Sequence, residues 1–243
     1  MSQAQGRAFL TARWVDLVMS SYEVDPAVLG PFVPAGTTLD PWNGRHFVSM
    51  VGFRFLDTRV MGVSVPLHRH FEEVNLRFYV RRQRDDEVRR GVVFLREIVP
   101  RRAIAGLANA LYGERYLALP MTHERIEQEA GTTLVYRWKT GERWASLGAR
   151  TTGAPSVPAP DSEEAFIAEH YWGYVRRPDG ATLEYRVEHP PWAVWQADAP
   201  SFDCDVAAMY GAEFEPFLTG PPSSCFVAQG SDVIVRRGLP LRG

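Results

Sequence analysis

Glu73-Val74-Asn75-Leu76-Arg77-Phe78-Tyr79-Val80 alternates in character at every step. On an extended chain Val74, Leu76, Phe78 and Val80 point one way, and Glu73, Asn75, Arg77 and Tyr79 point the other. A period of two is the mark of a β-strand. Two readings of the polar face are open. On an ordinary half-buried strand it meets solvent. On a barrel strand whose apolar face packs under helices it lines a cavity. There a carboxylate, an amide and a guanidinium in a row fix a small polar ligand, with Arg77 pairing a carboxylate in bidentate fashion.

Working outward, the charged stretch Arg81–Arg90 reads as a solvated loop and Val92–Ile98 as the returning strand of a hairpin. Upstream, Arg13–Met19 and His46–Phe55 have strand composition, and Val60–Val65 reads as a further strand stopped by Pro66. Asp25-Pro26 is an N-cap followed by proline at the first helical position, opening a short helix through Leu29. Downstream, Ile104, Leu107, Ala108, Leu111 and Tyr112 form one helical stripe after Pro100, with Gly113 as its C-cap. Leu134–Trp138 and Trp144–Leu147 read as a second hairpin around Lys139-Thr140-Gly141-Glu142, followed by a proline-rich connection over 151–160. Asp161 with Glu164 makes a capping box. Strands are expected at Tyr171–Val175, Thr182–Val187, Ala193–Gln196 and Ser224–Val235, with a helix over Asp205–Leu218. Many strands with few short helices, and no regular alternation between them, exclude a parallel doubly wound sheet. The fold class is α+β, mainly β: an antiparallel barrel or sandwich with peripheral helices. Residues 1–12 read as a loose leader and 13–243 as one domain.

The 243 residues carry 27 basic and 29 acidic side chains, a balance that argues against a nucleic-acid partner. No apolar run reaches the length of a membrane span, no signal peptide is visible, and two distant cysteines fit a reducing compartment. A cytoplasmic location is expected. Lys139 is the one lysine, so any imine-forming mechanism must use it. His68-x-His70 with Glu72 is a weak metal signal, read here as polar loop residues, and no metal or other cofactor is expected. The segments around His170 and His189 are dense in aromatics. They read either as core with satisfied histidines or as part of a site, and no partner is legible that would make either a general base. Gly62-Val63-Ser64-Val65-Pro66 lacks the final glycine of a nucleophile elbow, and no dinucleotide or phosphate-binding glycine motif occurs.

Taken together, VPLHRHFEEVNLRFYV (65–80), RRGVVFLREIVPR (89–101), EHYWGY (169–174), HPPW (189–192) and VAQGSDVIV (227–235) resemble the YqjF-like family of uncharacterised bacterial proteins, from about Arg13 to Val235. That family is distantly similar to acetoacetate decarboxylase. The resemblance implies a cone-shaped, mainly antiparallel β-barrel with an internal cavity. The decarboxylase uses a lysine Schiff base. In the stretch of this chain that matches its lysine pair, Gly113 to Thr122, the pair is replaced by Met121 and Thr122, and neither forms an imine. Lys139 lies in a Lys-Thr-Gly-Glu turn expected in water. Arg13 matches an arginine of the decarboxylase site and Glu73 a site glutamate, while a second site glutamate is replaced near Ser49.

The expectation is a polar cavity that binds a small anionic organic molecule through Arg13, Glu73, Asn75 and Arg77, with lysine-independent lyase or isomerase chemistry. The alternative is a non-catalytic binding or sensing protein on the same barrel, and a packed, structural barrel is the third reading. Related barrels often associate into homo-oligomers, but no interface signature stands in this sequence.

Overall fold

The computed structural model describes residues 7–64, 68–103, 105–106 and 115–241. Among these residues fourteen strands join in one sheet. They are β1 (Ala8–Glu23), β2 (Thr38–Leu39), β3 (Phe47–Val60), β4 (Phe71–Arg84), β5 (Glu87–Val99), β6 (Tyr116–Ala118), β7 (Met121–Gln128), β8 (Gly131–Thr140), β9 (Arg143–Ser156), β10 (Trp172–Arg176), β11 (Thr182–Glu188), β12 (Val194–Asp203), β13 (Ser224–Arg236) and β14 (Leu239–Pro240). Short helices sit between them: α1 (Pro26–Leu29), α2 (Glu163–Ala168), α3 (Val206–Tyr210) and α4 (Glu215–Leu218).

Hydrogen bonding runs in the order β11-β10-β5-β4-β3-β1-β13, and β13 then pairs back to β11 at Val187↔Val235 and Glu188↔Ile234. These strands therefore form a ring. Every neighbouring pair in it is antiparallel except β5 with β10. A ring leaves no open sheet edge along its wall. The N-terminal part of β13 pairs with β12 instead, and β9, β8 and β7 continue from there as a second layer.

That layer lies over the outer face of the wall. Leu134, Tyr136, Trp138 and Leu147 from β8 and β9 share one apolar cluster with Val18, Met50, Val74, Leu76 and Phe78 from the wall. Val206 and Met209 of α3 and Leu218 of α4 complete it. Close approach needs a gap in the wall at Gly52, where an added Cβ would stand 2.7 Å from the Tyr136 ring. The apolar face of β4 is thus covered chiefly by a sheet, where helices alone were the sequence expectation. The opposite face of the wall looks into the ring.

Most expected elements occur, often longer than the sequence suggested. Asp25 caps α1 by accepting from the Ala27 amide at 2.8 Å. The charged stretch after Val80 is no loop: β4 and β5 pair out to Arg84↔Glu87, leaving only Asp85-Asp86 as a tight turn. Asp85 takes a positive φ of 51°, as such turns require. The second hairpin has the same form, closed by Gly141-Glu142 between β8 and β9. β9 runs on to Ser156, into the segment read as a proline-rich connection. The N-cap of α2 is Ser162, not Asp161; its side chain accepts from the Ala165 amide. The helix read over Asp205–Leu218 is broken at Gly211 (φ 112°) into α3, a 3-10 turn and α4. Met61-Gly62 make a turn closed by a Val60↔Val63 bridge, so no separate strand starts at Val60. The first strand begins at Ala8, which moves residues 8–12 from the leader into the wall. Of the helix after Pro100, residues 102, 103, 105 and 106 are helical. Its stripe, Ile104, Leu107, Ala108, Leu111 and Tyr112, lies outside the described residues.

Candidate functional site

Inside the ring is a cavity of about 200 Å³. Cavities of about 150 Å³ accept a benzene ring, so this one holds a small organic molecule. Its wall is largely aromatic, with Trp14 from β1, Phe53 and Phe55 from β3, Phe71 from β4 and Trp192 beyond β11. Into this apolar surround β4 projects Glu73, Asn75 and Arg77. β5 adds Glu97, opposite Asn75 in register, and β6 adds Tyr116.

Glu73 is 3% exposed. Its Oε1 accepts from Asn75 Nδ2 at 2.9 Å and its Oε2 from the Tyr116 hydroxyl at 3.2 Å. Burial raises its pKa to about 7, against the opposing pull of those two hydrogen bonds and the Arg77 charge. Arg77 donates from Nη2 to the Ile167 carbonyl at 3.0 Å. Among the described residues its buried Nε has no partner, and neither does Asn75 Oδ1.

Three histidines, His68, His170 and His189, also line the cavity. His170 lies just beyond α2, between the rings of Tyr79 and Phe166. Its Nε2 is 3.3 Å from Asp40 Oδ2, which also accepts from Arg90 Nε at 2.7 Å. Burial lowers the His170 pKa to about 4, outweighing the opposing pull of Asp40. For Asp40 burial acts upward, but the His170 and Arg90 hydrogen bonds together hold it below the ordinary carboxylate value. His189 stacks on Trp192 with ring centres 4.0 Å apart, and burial lowers its pKa to about 4 as well.

Of the four residues expected to bind ligand, the structure brings Glu73, Asn75 and Arg77 together on the cavity wall. Arg13 is not with them. It is exposed, on the outer side of β1, because its neighbour Trp14 faces inward and adjacent strand residues face opposite ways. Ser49 is buried in a hydroxyl chain with Ser21 (2.8 Å) and Tyr79 (2.7 Å). His68 lines the cavity, whereas Glu72 turns to the other side of the wall and meets His123 Nδ1 at 2.7 Å. Among the described residues no group of three or more histidine, cysteine, aspartate or glutamate side chains is arranged to hold a metal ion.

Among the described residues the lining contains no amine. Met121 and Thr122 start β7 in the outer layer, Met121 against its apolar cluster and Thr122 exposed. Lys139 pairs with Glu142 at 3.4 Å beside the β8–β9 turn.

Sequence reasoning missed Glu97 and Tyr116. Phe94 and Glu97 both face the cavity although their numbers differ in parity. Between them the register with β4 slips, from Leu76↔Arg96 to Arg77↔Phe94, at a β-bulge. Similar slips occur where Asp16 (φ 58°) and Asp57 (φ 53°) take left-handed backbone, so Trp14 and Leu17, and Phe55 and Thr58, also share the inner face. An Asp in a strand-like run is a sequence signal for the bulges at Asp16 and Asp57, and no such residue marks the one at Leu95.

The sequence pattern of DUF2071, a family of uncharacterized conserved proteins, matches residues 11–232. The chain belongs to that family. It is 27% identical over 205 residues to the uncharacterized protein YqjF of Bacillus subtilis, covering 82% of this chain and 80% of YqjF. Solved structures share the DUF2071 chain's fold at low identity. Acetoacetate decarboxylase from Legionella pneumophila superposes with a TM-score of 0.66 at 13% identity, covering 100% of this chain and 91% of that one. An acetoacetate decarboxylase-like enzyme from Sphingomonas wittichii gives 0.65 at 13% identity, covering 97% and 94%. The enduracididine biosynthesis enzyme MppR, solved with pyruvate, gives 0.66 at 12% identity, covering 99% and 93%. The ring of strands described above is therefore an acetoacetate decarboxylase-like fold. Among the described residues no helix is long and apolar enough to cross a membrane.

Proposed function

We propose that the cavity binds a small organic anion and moves a proton on it, in lyase or isomerase chemistry that uses no Schiff base. The observation that carries this reading is Glu73: a buried carboxyl, hydrogen-bonded on both oxygens, with a pKa raised to about 7 inside an aromatic chamber. A carboxyl with a pKa near the working pH both accepts and returns a proton. Its carboxylate takes the proton from the carbon beside a ligand carbonyl. Arg77, whose charge acts on Glu73, stabilises the ligand carboxylate and the enolate that results. The pyruvate complex of MppR is a precedent for a small oxo acid on this fold.

The test is exchange in heavy water, followed by proton NMR, with pyruvate, oxaloacetate and acetoacetate. The wild type accelerates exchange beside the carbonyl, and Glu73→Gln lowers the rate by roughly a hundredfold or more while still binding the acid. The rate rises with pH through about 7, since the base must be ionised. Borohydride added with acetoacetate leaves the protein mass unchanged, because Lys139 is outside the cavity. Failure of every acid to bind sinks the proposal. Binding without exchange leaves the second reading, a binding or sensing protein on the same barrel.

A further inference from the structure

Buried polar groups in folded proteins are nearly always paired, and each exception calls for a cause. On this cavity wall the exceptions cluster. Among the described residues, five lining side chains carry a buried polar atom with no partner: Asn75 Oδ1, His170 Nδ1, Arg77 Nε, Trp14 Nε1 and Thr58 Oγ1. Their chemistry is not uniform, and it can be assigned atom by atom.

Asn75 spends its amide nitrogen on Glu73, so the orphan is the carbonyl oxygen, an acceptor. His170 requires one more step. Asp40 is held ionised by Arg90 and His170, and burial keeps His170 neutral at pH 7. A carboxylate only accepts, so His170 Nε2 carries the ring proton and donates it to Asp40. Nδ1 is left with a bare lone pair, a second acceptor. Arg77 Nε and Trp14 Nε1 are N–H groups and can only donate. Asn75 and His170 are 2% and 7% exposed, so bulk water does not satisfy these atoms.

The wall therefore offers two acceptors, two donors and, at Thr58 Oγ1, a hydroxyl that serves as either. A simple carboxylate or oxo acid at neutral pH satisfies the donors alone. We propose that the ligand is a small oxo acid that also carries a hydroxyl, whose carboxylate takes the N–H groups of Arg77 and Trp14 and whose hydroxyl donates to His170 Nδ1. This assignment rests on the anion-binding reading above and narrows it. The Asp40–His170 pair fixes the tautomer, so Asp40 is a positioning residue and His170 a ligand-contacting one. The cavity volume of about 200 Å³ limits the ligand to roughly three to six carbons.

The experiment is calorimetric titration of the wild type with matched pairs: hydroxypyruvate against pyruvate, and 4-hydroxy-2-oxobutyrate against 2-oxobutyrate. At least one hydroxy acid should bind about tenfold or more tightly than its deoxy partner, because the deoxy acid leaves a buried acceptor unpaired. His170→Phe keeps an aromatic ring between Tyr79 and Phe166 but removes the acceptor. It should bring the two members of the best pair within about threefold, chiefly by weakening the hydroxy acid. Nitrogen NMR gives a second readout: the His170 Nδ1 resonance should move on adding the hydroxy acid and stay put with the deoxy acid. If acids bind with no preference for the hydroxyl in any pair, the inference is overturned and the anion-binding reading stands. If no acid of either kind binds, both fall.

Discussion

β4 buries both of its faces, and the two are buried in different ways. Val74, Leu76, Phe78 and Val80 are fully buried in the apolar cluster that joins the wall to the second layer. Glu73, Asn75 and Arg77, one residue out of phase, face a hollow, where Asn75 keeps an unpaired acceptor and Arg77 an unpaired donor. Neighbouring residues of one strand thus serve opposite ends: dense apolar contact gives stability, while the hollow side gives some of it up to keep polar groups in readiness.

The largest expected effect is on the packed side. Leu76→Ala should lower unfolding free energy by about 2–5 kcal/mol in denaturant titrations, since a fully buried side chain leaves a void that a two-layer contact cannot collapse. A loss under about 1 kcal/mol would mean that the layers are loosely joined.

The hollow side shows itself through pH. The Glu73 pKa is raised from 4.5 to about 7, so between those values the folded protein binds more protons than the unfolded chain. Stability from this group is therefore lost as pH rises through that window, by on the order of a few kcal/mol. His170 and His189 act in the opposite sense. Their pKa values fall from 6.5 to about 4, so their contribution is lost as pH falls through that range. Glu73→Gln should remove the first slope and leave the second, so that it gains on the wild type in chemical denaturation as pH rises from 4.5 to 7. Parallel curves for the two proteins would show that Glu73 titrates as it does in water.

Gly52→Ala probes the seam between the regions. The new methyl meets the Tyr136 ring at 2.7 Å and should cost about 1–3 kcal/mol, read as a lower midpoint of thermal unfolding. The smallest effect belongs to Arg13→Ala. This exposed side chain lies outside both buried regions, so stability should change by less than about 0.5 kcal/mol and acid binding should not change measurably.

The alternation over 73–80 was legible because β4 keeps one parity along that stretch, and the sidedness it implied is the sidedness found. Legibility ended where the backbone stops alternating. A bulge at Leu95 carries Glu97 to the inner face, and no period-two reading of Val92–Ile98 shows it. β7, Met121–Gln128, went unseen because it is an edge strand with nearly all of its side chains exposed, so it has no apolar face to betray it. The Asp40–His170 contact joins residues 130 apart in sequence, and only the closed ring brings them together. Arg13 failed for a local reason: resemblance placed it in the site, but Trp14 takes the inward position beside it.

β13 has a further consequence. It pairs with β1 along nearly its whole length, while its two halves hold β12 and β11. The first strand of the chain therefore waits for nearly the last, and contacts so distant in sequence make for slow assembly. On a ribosome, the aromatic inner faces of β1 and β3 emerge long before the strand that seals them. A chain cut short before Ser224 would keep that seam open and expose it to other nascent chains.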